Sequence, residues 1–250
     1  CDWSSDVCSS DLPTPGRKNI VMGANLLPSY PIELVPDSVL YNVEQIKDNP
    51  AWVTPQFLEV HKNNRVWDFC QANVDAFKEL GVEVENILPI GYVEQLTRIK
   101  HRAPDNDVMF CGWLNQRRVD CLNGMIGAGL SLKHFSTVYG AQRDIHIGGT
   151  KLMLNIQAIP PKVFEIVRIS YYLANKMPVL SERPVNMDEY KEYEDAICFA
   201  DYDDFVDKAV ELCNNDKERA ALAERGFEIM SQHRIEDYLK DIDRKSTRLN

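Results

Sequence analysis

The residues best suited to hold an anion fall in one short stretch, Ala158-Ile159-Pro160-Pro161-Lys162, which leads into Val163-Phe164-Glu165-Ile166-Val167-Arg168. Prolines pre-set the entry to a helix, and the N–H groups of a first helical turn favour negative charge. Lys162 lies at that entry, and Glu165 and Arg168, three apart, share a face. On a solvated surface the pair would be an ordinary intrahelical contact worth about 0.2–0.5 kcal/mol. Arg168, however, interrupts an apolar run from Val163 to Leu173 that is too apolar for a solvated charge, which favours a binding role.

Other loops offer weaker candidates. Gly112 and Asn115 follow an apolar strand and would let a backbone approach a ligand, with Arg117 and Arg118 adding positive charge; a plain strand-to-helix turn explains them equally well. Tyr139-Gly140 would flank a planar group or form a simple turn, and Asn155 would bond a ligand or cap the next loop. Glu44, in Tyr41-Asn42-Val43-Glu44-Gln45, is a candidate general base or positioning carboxylate, against the alternative of a capping or surface glutamate. Gly91 and Tyr92 follow Pro89 as a candidate cleft-lining loop. Three signals carry nothing: Asp201-Tyr202-Asp203 precedes an amphipathic helix, where capping by Asp203 or Asp204 accounts for it. Gly124, Gly127 and Gly129 stand in the wrong order for a dinucleotide fingerprint. His146 is a lone histidine beside Asp144.

These loops need a scaffold, and apolar periodicity supplies one. Strands are predicted at Asn19 to Gly23, Val39 to Tyr41, Val84 to Leu88, Val108 to Phe110, near Val138-Tyr139, at Leu152 to Ile156, Val179-Leu180 and Ile197 to Ala200. Helices are predicted at Asn64 to Leu80, Gln116 to Ile126 and Val163 to Asn175, with a helical remainder after Ala200. Strands alternating with helices favour parallel sheets covered on both faces. The pattern occurs in two blocks, residues 13–92 and 107–242, with a polar linker over 93–106.

The chain has 28 basic and 38 acidic residues, a net charge of −10. That balance argues against nonspecific nucleic-acid binding, which needs a basic face. No apolar run reaches the roughly 18 residues of a membrane span. Cys70, Cys111, Cys121, Cys198 and Cys213 form an odd set without metal-ligand spacing, which points to a reducing, cytoplasmic setting and to no metal site. Residues 1–12 and 243–250 resemble a translated sequencing adapter. The DNA string GAT CGG AAG AGC ACA CGT CTG AAC encodes the closing Asp243 to Asn250, and its reverse complement, read in a shifted frame, encodes Ser5 to Asp11. Both ends are therefore expected to be non-native, and the first block to be truncated at its N-terminus.

The run Phe164 to Glu182, the segment Phe110-Cys111-Gly112-Trp113-Leu114-Asn115-Gln116-Arg117-Arg118, and Phe199 to Phe205 followed by Leu222-Ala223-Glu224-Arg225-Gly226 together resemble GT-B glycosyltransferases. They are most similar to the bacterial branch of spore-maturation glycosyltransferases. The resemblance covers about Val39 to Leu239 and is firmest from Asp107 onward. It implies an α/β fold of two Rossmann-like lobes: a partial acceptor lobe and a C-terminal donor lobe. It also implies transfer of a sugar from a nucleotide-diphosphate donor to a glycan, protein or lipid-linked acceptor, without a cofactor or an obligatory metal. The donor diphosphate would lie near Lys162, Glu165 and Arg168, with Gly112, Asn115, Arg117, Tyr139, Gly140 and Asn155 around the donor. Many such enzymes carry two glutamates on the donor helix; aligned from Pro178-Val179, those positions are Val163 and Tyr171 here. That departure leaves open a non-catalytic nucleotide-binding or interaction module of the same fold.

Overall fold

A computed structural model describes residues 19–29, 33–47, 49, 51–158 and 163–248. The chain divides into two compact units, one covering Gly91–Arg234, the other the residues before Gly91 together with those from Ile235 onward.

In the first unit, β1 (Ile20–Met22), β2 (Val39–Asn42), β3 (Arg65–Asp68) and β4 (Asn86–Ile87) pair in parallel in the order β1-β2-β3-β4. Two helices make the crossovers, α1 (Pro55–Lys62) and α2 (Gln71–Glu79). Thr54 caps α1 by accepting the Phe57 N–H at 3.2 Å, with Pro55 at the first helical position. Both are favoured there because the first-turn N–H groups lack helical partners. Ile46, Phe57, Val66, Ala76, Phe77 and Val82 form the apolar core.

The helix expected over Asn64 to Leu80 is in fact β3 followed by α2. Val66 and Trp67 are taken into the parallel sheet, where strands buried on both faces show no alternation to read. The strand expected at Val84 to Leu88 narrows to Asn86–Ile87, and α1 was not anticipated.

The second unit has five parallel strands in the order β6-β5-β7-β8-β9: β5 (Asn106–Cys111), β6 (Leu132–Phe135), β7 (Thr150–Asn155), β8 (Val179–Glu182) and β9 (Cys198–Ala200). Around them pack α3 (Gln116–Gly127), α4 (Gly140–Ile147), α5 (Ile166–Ala174), α6 (Phe205–Cys213) and α7 (Asp216–Gln232). The core between sheet and helices includes Val108, Phe110, Leu122, Met125, Leu152, Leu154, Leu180, Phe205 and Leu212. The strand expected near Val138-Tyr139 lies earlier, at Leu132–Phe135, and Tyr139 instead precedes α4. The final helix, α8 (Ile235–Arg248), groups with the first unit.

Residues 93–106, expected as a linker, are fastened to the second unit. Asn175 Oδ1 accepts the N–H groups of Arg98 and Ile99 at 2.8 and 2.9 Å, and Thr97 Oγ1 donates to Ala174 O at 2.8 Å. Asn175, at the end of α5, thus satisfies backbone groups that an open linker would leave to water.

Candidate functional site

A parallel sheet collects its strand carboxyl ends along one edge, where ligands of α/β proteins bind. In the second unit the registers Cys111↔Phe135, Phe110↔Leu154, Asn155↔Ser181 and Glu182↔Ala200 bring Gly112, Asn155 and Glu182 to that edge.

Arg168, one turn into α5, reaches it. Its Nη1 donates to Asn155 Oδ1 at 3.0 Å and lies 3.1 Å from Glu165 Oε2. Asn155 is fully buried, and its Nδ2 donates to Ser181 Oγ at 3.0 Å, so the guanidinium is tied to the end of two adjacent strands. The Arg168 side chain is 26% exposed, enough to meet a ligand and too little to be a solvated surface charge. A Cβ at Gly112 would crowd Phe110 Cζ at 3.0 Å and meet Arg168 Nη2 at an ordinary contact distance of 3.7 Å. α5 begins at Ile166, later than expected: the Phe164 N–H donates to Asn186 Oδ1 at 3.0 Å, and Glu165 holds the N-cap position. Its charge near a helix N-terminus is favourable. Lys162 and the preceding Ile159 to Pro161 lie outside the described residues.

Asn115 caps α3 by accepting the Arg118 N–H at 3.0 Å, and its Nδ2 donates to Ala158 O. It therefore ties the β5–α3 loop to the loop after β7. Arg117, expected to add charge for a phosphate, is engaged within the protein. It forms a bidentate pair with Glu182, whose side chain is 1% exposed, donates to Gln157 O at 2.9 Å, and lies 3.9 Å over the Tyr202 ring. Glu182 Oε2 also accepts the Gln157 N–H at 2.7 Å. Arg118 is buried, donates to Ile156 O and Trp113 O at 2.8 and 2.7 Å, and burial pushes its guanidinium down to about 10. Both arginines hold loops in place.

Tyr139 precedes α4, with its hydroxyl 3.4 Å from Ser136 O, and Gly140 adopts φ 54°, a left-handed value that glycine tolerates. Tyr92 packs edge-on to Phe227, bonds the Thr97 hydroxyl at 2.8 Å, and its N–H donates to His233 O at 2.7 Å. Gly91 begins the same unit. Glu44, in the first unit, follows β2 at the carboxyl edge of the four-stranded sheet and is half-buried. Asp204 occupies the N-cap of α6 without a side-chain cap bond, so the capping expected there does not form through that residue. His146 stacks on Phe135 at 4.5 Å.

A cluster around Tyr171 had no sequence signal beyond its separate residues. Its hydroxyl donates to Asp144 Oδ1 at 2.7 Å and accepts from Arg98 Nε at 3.0 Å, while the Arg143 guanidinium lies 4.8 Å over its ring. Arg143 and Arg168 both favour the thiolate of Cys111, yet burial outweighs them and raises the thiol. Glu182 was also missed, although a carboxylate closing the apolar run Val179-Leu180-Ser181 was a readable signal of a buried partner.

Two units, each a parallel sheet with crossover helices, give an α/β fold like that of GT-B glycosyltransferases. Residues 132–242 match the family model described as glycosyl transferase-like. An uncharacterized protein of Acanthamoeba polyphaga mimivirus is 28% identical over 139 residues, which is 52% of this chain; the match spans about a fifth (19%) of that relative's length. The structure of HepE from Anabaena, solved with UDP and glucose, superimposes with a TM-score of 0.61 at 14% identity, covering 92% of this chain and 77% of HepE. Sucrose-phosphate synthase from Thermosynechococcus elongatus does so with a TM-score of 0.55 at 10% identity, covering 89% and 69%. At those identities the likeness establishes the fold.

Proposed function

We propose that this chain binds the diphosphate of a nucleotide-sugar at the carboxyl edge of the five-stranded sheet, as the donor unit of a glycosyltransferase. The observation that carries the reading is the partly exposed Arg168 guanidinium, held between Asn155 and Glu165 beside Gly112. A planar guanidinium suits phosphate oxygens, and a charge-assisted bond contributes about 1.5–3 kcal/mol. HepE, whose fold is similar, was solved with UDP and glucose and also with UDP-glucose. These supply the donor class tested here.

In the reaction proposed, an acceptor hydroxyl attacks the anomeric carbon, and the bond to the diphosphate breaks with its electrons leaving on phosphate oxygen. Arg168 stabilises that growing charge, so its contribution rises toward the transition state. Glu44 is assigned to the acceptor's proton, and no metal is required. The reading carries with it the spore-maturation branch, on the sequence resemblance, and a cytoplasmic setting, on the odd set of cysteines. Tyr171, bound by Asp144 and Arg98, favours a second reading in which donor binding persists without turnover.

The test is calorimetric titration with uridine and guanosine diphosphates, repeated with Arg168→Ala. Binding that weakens in the variant by roughly tenfold to a hundredfold supports the proposal. Equal binding by both proteins, or binding by neither, refutes it. Transfer assays with nucleotide-sugars then separate catalysis from binding alone.

A further inference from the structure

In the first unit, the partners of one buried carboxylate are all neutral groups among the described residues. Asp68, the last residue of β3, is fully buried. Its Oδ1 accepts the Cys70 N–H at 3.0 Å; its Oδ2 accepts Asn42 Nδ2 at 2.7 Å and Asn73 Nδ2 at 3.2 Å. Those two amides also hold the loop after β2. Both Nδ2 groups donate to Glu44 O, each at 2.8 Å. Asn42 Oδ1 accepts the Glu44 N–H at 3.3 Å, and Asn73 Oδ1 accepts the Ile46 N–H at 3.0 Å.

We propose that Asp68 is a positioning residue whose charge state sets the order of the loop carrying Glu44. An ionised carboxylate only accepts hydrogen bonds, so it turns both Nδ2 groups inward and leaves both Oδ1 atoms for the loop N–H groups. A protonated Asp68 has an O–H to satisfy. The Cys70 N–H cannot accept it, which leaves the two amide oxygens and Glu44 O, all already engaged in holding the loop. Rotating either amide would set an NH2 group against the Glu44 or Ile46 N–H, and a buried donor facing a donor is costly. Protonation therefore releases at least one loop contact.

The transition falls near neutrality, since burial pushes the carboxyl up to about 7 despite four lowering hydrogen bonds. Among the described residues, the titratable groups beside it are the Tyr41 hydroxyl on β2 and the Cys70 thiol ahead of α2, while the Glu44 backbone shares its two amides. Neither group is a cation. The consequence for catalysis rests on the assignment of Glu44, but the loop response does not.

The experiment follows the Asp68 carboxyl carbon by NMR in the full chain from about pH 5 to about pH 9, together with hydrogen-exchange protection of the Glu44 and Ile46 amides. The expected result is a carboxyl midpoint near 7, with protection of at least one of the two amides falling about tenfold over the same interval. Asp68→Asn should abolish the pH response of both amides. A midpoint in the ordinary carboxylate range near 4, or protection that ignores the Asp68 titration, would overturn the proposal; both are read on the wild-type chain. No nucleotide is present, so loss of diphosphate binding and loss of this response are separate failures.

Discussion

Arg168 and Asn155 meet at 3.0 Å, which fixes a helix-borne cation to the fully buried end residue of β7. Preorganisation of this kind spares a ligand the cost of ordering a long side chain, about 0.5–1.5 kcal/mol for a rotamer-rich group.

That contact predicts non-additivity. Asn155→Ala should weaken nucleoside-diphosphate binding severalfold while leaving Arg168 in place. Added to Arg168→Ala, it should cost little more. A double-mutant cycle by calorimetry checks this, and strictly additive losses would count against coupling.

Gly112→Ala should crowd the site. The new methyl would stand 3.0 Å from the buried Phe110 ring, and overpacking of this sort costs about 1–3 kcal/mol. Denaturant unfolding measures the stability loss, and diphosphate titration shows whether Arg168 has been displaced.

Arg117 and Glu182 should behave as a structural pair. Arg117→Ala leaves the Glu182 carboxylate buried beside the Gln157 N–H, with an expected loss of about 3–5 kcal/mol, reduced because Arg117 is partly solvated. Replacing both, as in Arg117→Met with Glu182→Leu, should recover part of that loss. A double variant no more stable than Arg117→Ala would contradict the assignment.

Two buried groups in the first unit should oppose each other with pH. His61 stacks against Phe57 and Phe77 with centroids at 3.8 and 5.6 Å, and burial lowers its pKa from 6.5 to about 4. The unfolded chain binds that proton more tightly, so the stability contributed by neutral His61 is present above 6.5 and is lost as pH falls toward 4. Asp68 runs the other way, with a pKa raised from 3.8 to about 7. Its contribution is full below 3.8 and is lost as pH rises through 7. Urea unfolding of His61→Phe should therefore retain more stability than wild type on acidification from 6.5 to 4. Asp68→Asn should flatten the decline between 4 and 7.

β5, β7, β8 and β9 were legible because each carries a short apolar run, Val108-Met109-Phe110, Leu152-Met153-Leu154, Val179-Leu180 and Cys198-Phe199-Ala200, bounded by polar or turn residues. The helix Gln116–Gly127 was legible from its spacing, whereas Asn115, expected in a ligand-approaching loop, proved to be its cap. β3 and β6 were not legible: Arg65-Val66-Trp67-Asp68 and Leu132-Lys133-His134-Phe135 mix charge with apolar residues, and pairing with a parallel neighbour decided their state. The same limit applied to the site. Sequence placed Arg168 on a buried helix with Glu165 one turn away, because helical spacing alone sets which side chains share a face. It could not tell that Arg117 would be taken by Glu182, 65 residues on, or that Asn42, Asp68 and Asn73 would close around one carboxylate. Such partners are chosen by strand order and register, which bring distant chain segments together. Local pattern holds no record of that choice.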